Sequence, residues 1–270
     1  ENEIGDYLTN NLTPVNENGN QWVFENEDTE VYFILDHNEP EDDPEAIEMF
    51  ENFSDFDNTH FTFNLNFLRP NFFGLEAFQF VEKFMADLDL FVIDTQSADP
   101  DNPRKILASE MLATWSKTNL TFSADKFDEF GFTYIPIEQS DDTWFYNFHK
   151  QSMQDKLGDG YYVPKVFLMK TKVGNKAITL TTWTEHIPIV VPPADYFLLT
   201  KKYKKFFREV TETGLISYDT LMKIFGSYFD DFNFKGCKII HPDNADKVKD
   251  LFNGVKLEYK AGDFCERMEM

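Results

Sequence analysis

The chain has 270 residues, of which 42% are hydrophobic, and its formal net charge is −23. This length and composition indicate a globular protein with a sizeable core, and no apolar run approaches the roughly 18 residues that a membrane-spanning helix needs. So large an excess of acidic groups repels nucleic acid and anionic membranes and attracts cationic partners, so neither nucleic acid nor a membrane is predicted as a partner.

The negative charge is concentrated at one end of the chain. Residues 1–100 contain 24 acidic side chains and only two basic ones, a net charge of −22, whereas residues 101–270 contain 24 acidic and 23 basic side chains, a net charge of −1. A run of turn-forming residues at 97–103 coincides with this change. The sequence therefore predicts an acidic subdomain at residues 1–98 and a near-neutral subdomain at residues 99–270.

A β-hairpin is predicted near the start of the chain. Residues 21–24 and 31–35 are short runs of strand-forming side chains, and the acidic stretch 25–28 between them is typical of a turn. A helix is predicted to begin at Pro44, because the first turn of a helix tolerates proline and its N-terminus favours acidic side chains.

The next segment predicts a crossover between two strands. In residues 61–67 apolar and polar side chains alternate, which is the period of a strand with one buried face. Residues 72–88 place apolar side chains at intervals of three and four, with Asn71 as N-cap, and this indicates an amphipathic helix. The apolar run 90–93 is typical of a short strand that is buried on both faces. This order predicts a right-handed βαβ unit with parallel strands.

Fewer elements are predicted in the rest of the chain. Asn102 is a suitable N-cap for a following helix, a Gly-Asn turn predicts a hairpin between residues 166–169 and 177–183, and Ser217 caps a further helix. Residues 119–150 show no clean period and receive no assignment.

Together these elements predict an α+β fold. Its N-terminal part is a mixed sheet that contains the βαβ unit, and a ferredoxin-like arrangement is one candidate for it. The second part is another α+β subdomain, packed on the first.

An acidic loop follows the predicted hairpin. Its carboxylates form a surface that could bind a basic protein or a cation: Glu39, Glu41, Asp42, Asp43 and Glu45. A charge run of this kind also occurs simply as a solvated loop, and the sequence leaves both interpretations open.

Four polar residues follow the predicted strands: Asp36, His37, Arg69 and Asp94. If those strands are parallel neighbours, their carboxyl ends bring these side chains to one edge of the sheet, where ligands bind in open α/β folds. Two carboxylates beside a histidine could hold a divalent metal or act in acid–base chemistry, while Arg69 holds an anionic group. The plainer interpretation is that these residues form turns and are solvated.

The sequence lacks the common enzyme motifs, such as a phosphate-binding loop, a nucleophile elbow, a zincin helix or an EF-hand loop. Cys237 and His241 have the spacing of a metal pair, but a structural zinc needs four ligands and Cys265 is the one further thiol. No cofactor is predicted. Two cysteines are too few for a disulfide scaffold, so a reducing, cytoplasmic location is expected.

The charge asymmetry and the missing motifs favour a protein-binding module without enzymatic activity. Its acidic N-terminal face would capture a basic partner, in the manner of an immunity or inhibitor protein. The alternative is an enzyme, a metal-assisted hydrolase that uses Asp36, His37 and Asp94 with Arg69 as anion holder. A third interpretation is a scaffold protein whose acidity serves solubility.

Overall fold

The computed structural model describes residues 2–16, 19–40, 44–94, 102–205 and 208–268. The chain divides into two compact units, Glu1–Phe130 (unit 1) and Gly131–Met270 (unit 2). Each unit contains helices and sheets, which confirms the mixed α+β class. The subdomain boundary predicted between residues 98 and 99 lies outside the described residues. Among the helices that the structure describes, none is both long and apolar enough to cross a membrane.

Unit 1 is built on a four-stranded sheet with the strand order β1-β2-β3-β4, in which all neighbours are antiparallel. Its elements in chain order are α1 (Asn2–Asn11), β1 (Thr13–Pro14), β2 (Gln21–Glu25), β3 (Tyr32–His37), α2 (Pro44–Glu51), β4 (Phe61–Asn64), α3 (Phe72–Asp87) and α4 (Ala108–Phe130). The hairpin predicted near the start of the chain is confirmed as β2 and β3, and the helix predicted to begin at Pro44 is confirmed as α2.

The predicted βαβ unit with parallel strands is wrong. Strands β3 and β4 are antiparallel, with His37 opposite Phe61. Their connection leaves and re-enters the sheet at the same end, where the Asn38 amide donates to the carbonyl oxygen of His60 at 2.9 Å. Residues 90–93, the second strand of the predicted unit, do not pair with β4 and contribute only an isolated bridge between Val92 and Arg104. The ferredoxin-like arrangement, which was derived from this crossover, is not confirmed.

The core of unit 1 lies where α1 and α3 cover one face of the sheet. Its buried members are Ile4, Leu8 and Leu12 near the start of the chain, Trp22, Phe33 and Leu35 in the strands, and Ala77 and Phe84 in α3. These α3 positions follow the predicted three- and four-residue spacing, so the amphipathic helix is confirmed. Burying one large apolar side chain stabilises a fold by about 1.5–3 kcal/mol, so this cluster accounts for much of the packing energy of unit 1.

Helix α4 begins later than predicted and lies close to α3. Residues 103–107 precede it, and Arg104 is held extended by its two backbone hydrogen bonds to Val92, so the helix starts at Ala108. A Cβ atom on Gly74 of α3 would lie 2.8 Å from Leu112 Cδ1, which shows how closely the two helices approach.

Asn119 ties α4 to the turn that follows β4. Its side chain is buried and accepts a hydrogen bond from the Leu68 amide at 2.7 Å while its Nδ2 donates to the Arg69 carbonyl oxygen at 2.8 Å. Leu68 has φ of 64°, in the left-handed region, so this turn needs external support. The amide side chain of Asn119 supplies that support, since it accepts one hydrogen bond from the turn and donates another to it.

Unit 2 contains two sheets and the helices around them. Its elements are α5 (Ile137–Leu157), β5 (Phe167–Thr171), β6 (Ala177–Thr184), β7 (Ile189–Val191), β8 (Tyr196–Lys205), β9 (Arg208–Ser217), α6 (Tyr218–Phe225), a 3-10 turn (Gly226–Tyr228), β10 (Asp230–Asp231), β11 (Lys238–Ile240), α7 (Pro242–Lys247), α8 (Lys249–Gly254), α9 (Ala261–Phe264) and β12 (Cys265–Arg267). The larger sheet has the order β12-β5-β6-β8-β9, and the smaller sheet has the order β10-β11-β7.

Two predictions for unit 2 are confirmed. Strands β5 and β6 form the expected hairpin, with Leu168 opposite Thr179. Ser217 caps α6, because its hydroxyl oxygen accepts a hydrogen bond from the Thr220 amide at 3.3 Å. The long hairpin of β8 and β9 was not predicted, and neither was the parallel pairing of β6 with β8.

A buried lysine fixes the C-terminal part of unit 2 to this hairpin. Lys201 of β8 is only 3% exposed, and its ammonium group donates to the carbonyl oxygen of Val255 at 2.8 Å. The same ammonium lies 2.8 Å from the carboxylate of Glu212, which is opposite Lys201 in β9. The buried charge is therefore both paired and hydrogen-bonded, as a charge in a protein interior requires.

The Asn119→Ala substitution removes both hydrogen bonds that support the turn after β4. We expect it to lower the free energy of unfolding by about 1–3 kcal/mol, because two backbone groups lose their partner in a buried environment. The control is Asn10→Ala on the exposed side of α1, which should change the stability by less than about 0.5 kcal/mol. Urea denaturation of both variants measures the difference, and equal midpoints would contradict the supporting role of Asn119.

The Lys201→Met substitution keeps the aliphatic part of the side chain and removes the ammonium group. We expect a loss of about 1–3 kcal/mol in stability, because the buried carbonyl of Val255 is left without its donor. Lys202→Met is the matched control, since Lys202 is the next residue, is half exposed and pairs with Glu185 at the surface. Thermal unfolding should give a lower midpoint for Lys201→Met than for Lys202→Met. Equal midpoints would contradict the structural role of the Lys201 ammonium group.

Candidate functional site

Asp36 and His37 are the last two residues of β3, and because successive side chains of a strand alternate, they point to opposite faces of the sheet. The carboxylate of Asp36 accepts hydrogen bonds from Gln21 Nε2 at 2.7 Å and from Asn64 Nδ2 at 2.8 Å. The His37 ring stacks on the Phe61 ring, with 4.4 Å between the ring centroids. Each of these contacts crosses to a neighbouring strand, so both residues help to hold the sheet together.

Arg69 lies at the opposite end of β3. Its guanidinium donates to the hydroxyl of Tyr32 at 2.5 Å and faces the Tyr32 and Phe73 rings. Tyr32 and Asp36 are four residues apart in one strand, which corresponds to about 13 Å. Because β3 and β4 are antiparallel, the residues after β4 reach the start of β3 rather than its end, and Arg69 does not join Asp36 and His37.

The contact with Arg69 changes the acidity of Tyr32. Burial alone would raise the pKa of this phenol, but the hydrogen bonds from Arg69 and Asn66, together with the positive charge of Arg69, outweigh that effect and leave the pKa below its ordinary value. Arg69 is thus engaged with an aromatic partner of its own unit.

Asp94 is exposed and follows the bridge between Val92 and Arg104, outside the four-stranded sheet. The strand-end residues are therefore not brought to one edge. Within the described ranges, the structure contains no group of three or more His, Cys, Asp or Glu side chains that could hold a metal ion.

The acidic segment, residues 36–60, runs from the last two residues of β3 to the residue before β4 and includes α2. It contains ten acidic residues and no lysine or arginine. Of the residues predicted to bind a partner, Glu39 is exposed, Glu41, Asp42 and Asp43 lie outside the described residues, and Glu45 belongs to α2. Four further carboxylates of this segment are exposed but were not among the residues predicted to bind a partner: Glu48, Glu51, Asp55 and Asp57.

Residues of the acidic segment line an open, mainly apolar groove of about 320 Å³. The residues that line it are Pro40, Ile47, Phe50, Glu51, Phe53, Ser54, Phe56, Asn58 and His60. Ile47 and Phe56 remain 40% and 41% exposed, so the groove is open to solvent. The apolar spacing in residues 47–53 was the sequence signal for it, but that spacing by itself indicates only an amphipathic helix.

Several contacts fix the shape of the groove. The Asn58 side chain accepts a hydrogen bond from the His60 amide at 2.9 Å, which holds the turn before β4. The Phe56 ring meets the Phe91 ring edge-on at 5.0 Å, and the Lys105 ammonium lies 5.3 Å from the Phe91 ring. The groove is thus supported by residues from both before and after α3.

The charge of the whole chain belongs to the unit that contains the groove. Unit 1 has 29 acidic and 6 basic residues, which gives −23, whereas unit 2 has 19 of each and no net charge. The electrostatic field around unit 1 is therefore strongly negative. An apolar groove with carboxylates in and around it can accept a ligand that combines positive charge with apolar surface.

The cysteines do not form a metal site. Cys237 is buried in the main hydrophobic cluster of unit 2 and Cys265 in a separate one, and both are free thiols. The Nδ1 atom of His241 lies 2.7 Å from the hydroxyl of Tyr161, so this histidine has another partner. Burial raises the pKa of Cys237 to about 12.

The raised pKa of Cys237 predicts a slow reaction with iodoacetamide at pH 8. Only the thiolate reacts, so we expect alkylation of Cys237 in the native protein to be at least about 100-fold slower than that of glutathione. Since an unfolded cysteine has a pKa of about 8.5, the thiol stabilises the fold below that pH and this contribution is lost as the pH rises toward the folded value. Mass spectrometry of timed samples measures the rate, with urea-unfolded protein as the control. Equal rates in the native and unfolded protein would contradict the burial.

Comparison of the chain with protein-family models, with curated protein sequences and with solved structures gives no match.

Proposed function

We propose that unit 1 binds a cationic protein and that the acidic segment is its contact surface. The observation that carries this proposal is the confinement of the whole net charge to unit 1, together with the ten acidic residues and no basic residue in the acidic segment. A protein that covers the basic surface of a partner in this way could act as an inhibitor or immunity protein.

The physical basis is electrostatic steering. A surface of one sign raises the local concentration of oppositely charged partners and speeds association by about 10-fold to 1,000-fold at low ionic strength. Five carboxylates of the acidic segment are exposed to solvent and are therefore accessible to a partner: Glu39, Glu48, Glu51, Asp55 and Asp57. Exposed charges act mainly on the association rate and on partner choice.

The metal-assisted hydrolase receives no comparable support. Its residues would have to converge, but Arg69 contacts Tyr32 at one end of β3 while Asp36 and His37 lie at the other end. Asp36 is hydrogen-bonded to two amide side chains of neighbouring strands.

The proposal predicts salt-sensitive binding that depends on the acidic segment. A fluorescent lysine-rich peptide should associate with the full chain about tenfold or more slowly at high salt than at low salt. In Glu48→Gln/Glu51→Gln the association at low salt should be several-fold slower than in the natural chain. Stopped-flow anisotropy measures these rates.

The matched control removes the same charge elsewhere in unit 1. Asp6→Asn/Asp125→Asn changes two exposed acidic residues, one in α1 and one in α4. Its association rate should stay close to that of the natural chain. If both double variants slow association equally, only the total charge matters and the acidic segment is not the contact surface. An association rate that does not respond to salt would overturn the proposal altogether.

A further inference from the structure

The apolar groove of the acidic segment is a feature that electrostatic capture alone does not explain. A surface that served only for steering would need carboxylates in water, yet here Ile47 and Phe56 are left 40% and 41% exposed beside the half-buried Phe50 and Phe53. Solvent-exposed apolar surface in a concave site is typical of binding sites.

The size of the groove limits what can enter it. At about 320 Å³ it lies at the lower end of the range for ligand pockets, so it suits one or two large side chains rather than a whole helix. Its shape is held by the bond between the Asn58 side chain and the His60 amide and by the contact of Phe56 with Phe91. These supports leave the mouth of the groove open.

The charge around the groove decides the chemistry of its occupant. Glu51 is part of the lining, Glu48 lies one turn earlier on α2, and Asp55 and Asp57 flank Phe56 in sequence. The acidic segment supplies no lysine or arginine that could pair with an acidic ligand. A purely apolar ligand would gain nothing from these carboxylates, whereas a basic segment with an apolar side chain would satisfy both features.

We propose that the groove binds an apolar anchor side chain, such as leucine or tryptophan, from a lysine- or arginine-rich segment of the partner. This inference rests on the proposed function of unit 1 and names the part of the partner that is recognised. The carboxylates guide the basic segment to unit 1, and burial of the anchor slows its dissociation.

The test compares three peptides of equal length by fluorescence anisotropy with the full chain. The first carries lysines and regularly spaced leucine and tryptophan, the second replaces the apolar residues with serine, and the third keeps the apolar residues but replaces lysine with glutamate. We expect the first to bind about tenfold or more tightly than the second, because a large side chain is buried, and the third not to bind.

A pair of matched variants locates the anchor. Phe56→Ser removes a groove side chain that is 41% exposed, and Phe127→Ser removes an α4 side chain of the same unit that is 42% exposed. The first variant should lose the preference for the apolar cationic peptide, and the second should keep it. Ile47→Ser, on the exposed side of α2, should also reduce the preference. Unchanged binding of the serine-containing peptide shows that each variant still folds with its acidic surface intact.

The outcomes separate this inference from the proposed function. If both lysine peptides bind equally well and lose affinity in salt, the groove proposal is overturned while electrostatic capture stands. If the preference exists but Phe56→Ser and Ile47→Ser leave it unchanged, the anchor binds elsewhere and the groove proposal is again overturned. If the glutamate peptide binds as tightly as the lysine peptide, the groove takes apolar ligands without regard to charge, which contradicts the occupant proposed here. If neither lysine peptide binds, both proposals fail.

Discussion

The antiparallel pairing of β3 with both of its neighbours determines the arrangement of unit 1. It places His37 opposite Phe61, so the chain must leave and re-enter the sheet at the same end. Along β3 the alternation of side chains turns Phe33 and Leu35 toward the helices. The acidic segment provides this connection between β3 and β4. This connection begins and ends at the hydrogen bond between Asn38 and His60, and it contains α2 and the residues that line most of the apolar groove.

Much of the local structure of the chain could be predicted from its sequence, but strand direction could not. The hairpin of β2 and β3, helix α3 and the cap at Ser217 follow from short-range patterns, and all three are present. The pattern at residues 61–67 and the apolar run at 90–93 suited a parallel pair equally well, because side-chain period says nothing about direction. In the structure β4 pairs with β3 instead, in the antiparallel direction, and Val92 pairs with Arg104. No local pattern reveals which segments of the chain pair with one another.

The candidate site was predictable in its charge and not in its shape. The carboxylates from Glu39 onward are evident in the sequence, whereas the groove depends on whether other elements cover the apolar side of α2. The sequence pattern of an amphipathic helix is the same whether its apolar face is covered by other elements or exposed to solvent. The strand-end residues do not form a cluster for a related reason. Their predicted proximity depended on parallel strands, and the antiparallel pairing of β3 and β4 places Arg69 beside Tyr32 instead.

The unequal charge of the two units has a consequence for how this chain responds to its solvent. Like charges on a unit with a net charge of −23 repel one another and weaken its compact state, whereas a unit with no net charge is free of this penalty. At an ionic strength of 0.1 M, dissolved ions largely screen such repulsion between charges more than about 10 Å apart. We therefore expect added salt to stabilise unit 1 more than unit 2.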